Sequence, residues 1–244
     1  IIISLFFTED GKFKIEHFKR IGQFEETERI KKNLTLFKDI PKEKINNENL
    51  FKNILNLQKR ESLFLDQNKY IFFKTHSGLF KVYGYPFTTE IISKGLIYVI
   101  RDPRDVCISW SKHFNKSLDE SIEFMINENQ ALHWNETDKK PYFSNSTRPM
   151  SYLSSWDRHV KSWCTNNWNK PKKIIKYEDL VYNKLKITNE LINFFEKNYD
   201  LKIENKLQKI NNIIEYTDFN KMKNDEIKKG FNEANENSNF FSVG

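Results

Sequence analysis

The pattern of apolar and polar positions divides the chain into a few short apolar runs set among long polar, helix-prone stretches. Ile1 to Phe7 is an apolar run that closes at the turn signal Glu9-Asp10-Gly11. From there to Ile45, Phe18, Ile21, Phe24, Ile30, Leu34 and Phe37 recur at roughly helical spacing, which predicts two or three amphipathic helices covering a sheet. Phe51, Ile54, Leu55 and Leu57 predict one more helix. Tyr70 to Lys74 reads as a strand. Leu96 to Ile100, short and β-branched, has the pattern of a strand buried on both faces. Leu118 to Trp134 is a mixed helical stretch, and Asp138 to Met150, with Pro141 and Pro149, is a loop. Leu153, Trp156, Val160 and Trp163 then return at helical spacing, most simply as core, with His159 on the same helix a packed or interfacial histidine rather than a second base. Lys172 to Tyr177 is the third strand, and Leu191, Ile192, Phe194 and Phe195 form an apolar helix face.

Within this pattern one junction carries chemistry. After Ile100 the chain reads Arg101-Asp102-Pro103-Arg104-Asp105. Asp102 suits an N-cap, Pro103 the first helical position, and Asp105 the positive end of the helix. Arg101 therefore sits at the carboxyl end of a strand, where ligands of open α/β sheets bind. Ser109 lies further along the same helix, with a hydroxyl able to reach an anion held by Arg101. Separately, each has an ordinary reading: a surface ion pair for the arginine, a backbone bond for the serine. Their combined order describes a phosphate site.

A second candidate is Lys74-Thr75-His76-Ser77-Gly78, at the end of the Tyr70–Lys74 strand. His76 reads either as an ordinary loop histidine or as a general base, since an imidazole pKa near ~6.5 suits proton abstraction. Lys74, two residues earlier, shares its strand face and would put a cation beside that base.

Composition narrows the class. Aromatic residues make up 15% and hydrophobic residues 38%, too many for a disordered chain, and 244 residues suit a single domain with a full core. The net charge of +7 fits a polyanionic small molecule, but it is spread along the chain and predicts no nucleic-acid partner. Cys107 and Cys164 offer neither metal-ligand spacing nor a disulfide framework, which suits a reducing, cytoplasmic setting. No apolar run approaches the ~20 residues of a membrane span, so no membrane partner is expected.

The motifs resemble a family. R-D-P-R-D-V-x-x-S is similar to the 3′-phosphate segment of sulfotransferases that use 3′-phosphoadenosine 5′-phosphosulfate (PAPS), which implies that Arg101 and Ser109 hold the 3′-phosphate. Lys74-Thr75-His76 is similar to the K-T-H segment that supplies the family's catalytic histidine and an assisting lysine. In Y-E-D-L the family's tyrosine reaches the adenine, which implies that role for Tyr177, although a single ring could equally be core. Tyr216 to Lys223 resembles the T-S-F-x-x-M-K segment, implying that Thr217 and Phe219 bracket the adenine. Asn239 to Gly244 resembles the start of the loop that closes over the 3′-phosphate, which implies contacts from Phe240 and Gly244. The resemblance implies an α/β fold, a central parallel sheet flanked by helices and related to P-loop proteins. It also implies sulfuryl transfer from PAPS to a hydroxyl or amine of a small-molecule acceptor, with His76 as base, Lys74 assisting and no metal.

Two departures accompany it. The family's phosphosulfate loop, P-K-S-G-T-T-W, is absent, and Ile1 to Phe7 resembles the helix that follows that loop. The expectation is therefore one sulfotransferase domain over residues 1–244, short of its first strand, that loop and its extreme C-terminus. Ser242 and Val243 also stand where the family commonly has Arg and Lys. Two rivals remain: a nucleotide kinase-like enzyme, in which Asp102 would hold Mg²⁺, and a non-catalytic nucleotide-binding protein. Neither the acceptor nor the oligomeric state is legible.

Overall fold

The structure, a computed structural model, describes residues 1–21, 24–25, 46–63, 71–133 and 150–230. The chain forms two compact units, one from Ile1–Ile21, Ile97–Glu123 and Lys172–Gly244, the other from Gly22–Leu96 and Phe124–Pro171.

In the first unit the apolar start of the chain is the helix Ile2–Phe6, with Ile3, Ser4 and Leu5 buried. It stops because side chains take over its carbonyls: Thr8 Oγ1 donates to Ser4 O at 2.6 Å and Lys209 Nζ to Leu5 O at 2.8 Å. Burial lowers the Lys209 pKa, with the charges of Glu204 and Asp10 opposing. The turn predicted at Glu9–Gly11 is present and requires its glycine. Gly11 has φ +85, and a Cβ there would lie 2.7 Å from Lys209 Cα. The helices Lys184–Tyr199 and Lys206–Tyr216 bury Ile187, Leu191, Ile192, Phe195, Ile210 and Ile213, and Phe6 meets Phe195 edge to face at 4.6 Å.

The strand Leu96–Ile100, all but its first residue in this unit, pairs with Lys172–Lys176. Leu96 N donates to Pro171 O at the entry of both strands, and Asp102 N donates to Glu178 Oε1 just past both exits. The pair is thus parallel, and each strand runs straight into a helix, Pro103–Phe114 or Tyr177–Tyr182. This is the expected α/β arrangement of a parallel sheet with helices. The strand is not buried on both faces as its apolar pattern suggested: Val99 is 45% exposed, and Ile174 on the neighbouring strand 43%. Lys172–Tyr177 is also shorter than expected. Tyr177 already belongs to a helix, started by Lys176 in an extended conformation and by Glu178 and Asp179 in the first turn.

The second unit is built on the helix Asn47–Leu63, which buries Leu50, Phe51, Ile54 and Leu57. Asn46 and Asn49 cap it reciprocally, each side-chain oxygen accepting from the other's backbone N–H. Tyr83 and Gly84, both at positive φ, turn the small hairpin Lys81–Val82 with Tyr85–Pro86. Of the helices predicted before Ile45, only Ile15–Arg20, a 3₁₀ helix of the first unit, lies among the described residues. The strand predicted at Tyr70–Lys74 is not regular. Residues 71–73 carry no ladder, and Lys74 is an isolated bridge whose carbonyl accepts from Phe24 N at 2.7 Å. The helix predicted over Leu118–Trp134 ends at Ile126. Asn127 then takes over local hydrogen bonds, and Ala131–His133 pairs antiparallel with Met150–Tyr152. Trp156–Cys164 is helical as predicted, with Trp163 buried. Among the described residues no helix is long and apolar enough to cross a membrane.

Candidate functional site

Two clusters emerge, one in each unit. The first follows from the parallel strand pair. Two neighbouring parallel strands end at the same edge, so the residue after one end lies beside the residue after the other. Those residues are Arg101 and Tyr177, and the guanidinium carbon of Arg101 stands 4.4 Å from the centre of the Tyr177 ring. The ion pair that a lone arginine commonly makes is not formed with any described residue, and Arg101 Nε is buried without a hydrogen-bond partner. A guanidinium N–H is a donor of the kind that anions accept from.

The helix beside it is capped as the sequence predicted. Asp102 accepts from Arg104 N at 2.9 Å, Pro103 is the first helical residue, and Asn115 closes the other end in the left-handed region. Arg104 also closes on Asp102 through its side chain, and these bonds hold the Asp102 carboxyl down to about 2. With both its oxygens facing Arg104, Asp102 is committed to the helix start. Ser109 is exposed on this helix, and its hydroxyl makes no hydrogen bond among the described residues.

Thr217 and Phe219 belong to the same unit. Thr217 ends the helix Lys206–Tyr216, turning its hydroxyl to Ile213 O at 2.7 Å, and Phe219 opens the helix Phe219–Lys229 behind the N-cap Asp218. The Thr217 carbonyl accepts from Lys184 Nζ, a bond without a signal in the sequence. Burial lowers the Lys184 pKa, with the charge of Asp218 opposing. Phe240 and Gly244, like Ser242 and Val243, lie outside the described residues.

The second cluster holds Lys74 and His76. The His76 side chain is exposed, but the backbone around it is fixed from several elements. His159 Nε2 meets His76 O at 3.1 Å, which makes Nε2 the protonated nitrogen because a carbonyl only accepts. Trp163 Nε1 donates to Ser77 O at 3.0 Å, Gly78 N to Tyr152 O at 2.8 Å, and Leu79 N to Ser162 Oγ at 2.9 Å. Burial lowers the His159 pKa and its bond to His76 raises it, the burial being larger. Trp163 is buried as its place in the apolar stripe predicts, and His159 is half-buried; their ring nitrogens add a polar function that helical spacing does not reveal. Glu25 was missed altogether. It is buried and accepts from both Thr75 Oγ1 and Ser77 Oγ, the latter at 2.7 Å, so it grips the residues on either side of His76. Glu25 lies beside Phe24 in sequence, and only the fold brings the pair to Lys74.

Chemically, the first cluster can bind an anion beside an aromatic ring, and the second can present an imidazole from a rigid loop. Among the described residues no three His, Cys, Asp or Glu side chains gather in a way that could hold a metal ion.

A family profile described as "Sulfotransferase domain" matches residues 35–244. Among solved structures, the crystal structure of mouse sulfotransferase SULT7A1 complexed with PAP aligns at 16% identity and a TM-score of 0.46, over 68% of this chain. The chain spans 52% of the length of that one.

Proposed function

The chain belongs to the sulfotransferase domain family, and on that premise we propose that it transfers a sulfuryl group from PAPS to a hydroxyl or amine of a small-molecule acceptor in the cytoplasm. The observation that carries the donor assignment is Arg101, stacked on Tyr177 with a buried Nε that has no acceptor among the described residues. A 3′-phosphate oxygen satisfies that nitrogen, Ser109 adds a hydroxyl, and Tyr177, Thr217 and Phe219 serve the adenine. When bound, PAPS supplies a sulfuryl group whose bond to the 5′-phosphate oxygen breaks, with its electron pair leaving on that oxygen, as the acceptor oxygen joins sulfur. His76 takes the acceptor's proton, and Lys74 steadies negative charge on the departing phosphate. Phe240 and Gly244 complete the 3′-phosphate loop in this reading, and residues 1–244 act as part of one sulfotransferase domain.

The test is transfer of radioactive sulfate from PAPS by the full-length protein to a panel of phenols, steroids, sugars and amines, with and without Mg²⁺. Transfer independent of Mg²⁺, with turnover lowered ~10²-fold or more by His76→Ala, is the expected result. PAP affinity should be nearly unchanged in that variant. Full activity of His76→Ala removes the histidine from the mechanism. Binding of PAP with no transfer to any acceptor class identifies a nucleotide-binding protein instead.

A further inference from the structure

We infer that Glu25 is a positioning residue for the His76 base, an inference that rests on the functional reading above. The residue is 3% exposed, and one carboxylate oxygen, Oε1, accepts from both Thr75 Oγ1 and Ser77 Oγ. Thr75 and Ser77 flank His76, so a single buried atom ties down the side chains on both sides of the imidazole. The tie is extended by the segment itself: Ser77 N donates to Thr75 Oγ1 at 2.9 Å, and Tyr152 N to Ser77 Oγ at 3.3 Å. Burying a carboxylate is costly unless hydrogen bonds answer it. The surroundings are otherwise largely apolar, the cavity beside Glu25 being lined by Phe24, Leu50, Phe51, Ile54, Leu57 and Met150 together with Asn47. The two hydroxyl bonds answer one oxygen of that carboxylate, Oε1. They hold the chain on both sides of a His76 that is itself exposed. A base must stay within hydrogen-bond reach of the proton it removes, and a misplacement of about 1 Å can cost ~10²-fold in rate.

Two substitutions separate holding from mere filling. Glu25→Gln keeps an oxygen that can accept both hydroxyls, and Glu25→Leu keeps volume without an acceptor. In the full-length protein, with PAPS as donor and the best acceptor of the panel, Glu25→Leu should lower kcat ~30-fold or more, and Glu25→Gln no more than ~5-fold. The KM for PAPS and the affinity for PAP should stay within ~3-fold in both, because the hydroxyls Glu25 accepts from belong to the His76 segment. Amide hydrogen exchange at Ser77 and Gly78 should speed up ~10-fold or more in Glu25→Leu alone. If Glu25→Leu does not fold, Thr75→Val and Ser77→Ala each delete one donor and should show the same split to a smaller extent. Wild-type kcat and exchange in Glu25→Leu overturn the inference, as does a loss of PAP affinity equal to the loss of kcat. Absence of transfer by the wild-type protein strikes the functional reading, and the exchange at Ser77 and Gly78 then decides whether Glu25 holds the segment.

Discussion

A guanidinium over a phenol ring with a nitrogen to spare makes a sharp prediction about ligands. Arg101→Ala should weaken PAP by ~1.5–3 kcal/mol, the range of a hydrogen bond to a charged group, and leave AMP, which lacks the 3′-phosphate, almost unaffected. Tyr177→Phe should keep PAP affinity, since the ring face and not the hydroxyl meets Arg101, whereas Tyr177→Leu should lose up to ~1 kcal/mol of it. Isothermal calorimetry with the two nucleotides measures both, and equal losses for PAP and AMP in Arg101→Ala would assign the arginine to the fold. Arg101 and Tyr177 were legible as single residues because each follows a strand, but their contact was not. It depends on which strands are neighbours, and sequence order does not state that. Glu25 was illegible for a related reason: a buried carboxylate is recognised by its donors, and Thr75 and Ser77 are some fifty residues away.

Whole elements were legible where local chemistry alone decides them. Asp102, Pro103 and Asp105 define a helix start through contacts within three residues, so Pro103–Phe114 begins where the sequence said it would. The same locality gives a pH prediction. The Asp102 carboxyl is held at about 2, below its unfolded value near ~3.9, chiefly by the Arg104 side chain. A depressed carboxyl contributes stability that is complete above the unfolded value and lost as pH falls through the folded one. The helix start should therefore weaken between about pH 4 and pH 2. Asp102→Asn, which still caps but does not titrate, should unfold with a flatter acid limb by circular dichroism; an unchanged limb would show that Asp102 does not govern it. Elements that depend on distant partners were misread. Residues 71–74 have a strand's composition, but Lys74, whose carbonyl accepts from Phe24 N, forms a bridge and not a strand. Residues 131–133, inside an apparent helix, are drawn into pairing with Met150–Tyr152.

At the scale of the molecule, the two compact units divide the proposed work: Arg101, Ser109, Tyr177, Thr217 and Phe219 fall in one, Lys74 and His76 in the other. The sequence shows no such division, because each unit is assembled from separated stretches of chain. A ligand of the first unit should act as a thermodynamic probe of the native state, since only the folded protein brings Arg101 to Tyr177. PAP at a hundred times its Kd should stabilise the protein by ~2.7 kcal/mol against urea. In Arg101→Ala, at the same PAP concentration, a Kd raised by the expected ~1.5–3 kcal/mol leaves only about 0.3–1.3 kcal/mol of that gain. Hydrogen exchange should locate the effect, with protection by PAP concentrated in the Pro103–Phe114 and Tyr177–Tyr182 helices that follow the paired strands. In the second unit, the Trp156–Cys164 helix should exchange as it does without ligand. Protection by PAP confined to that helix, or full stabilisation of Arg101→Ala, would mean that the nucleotide binds elsewhere and that the strand ends are not its site.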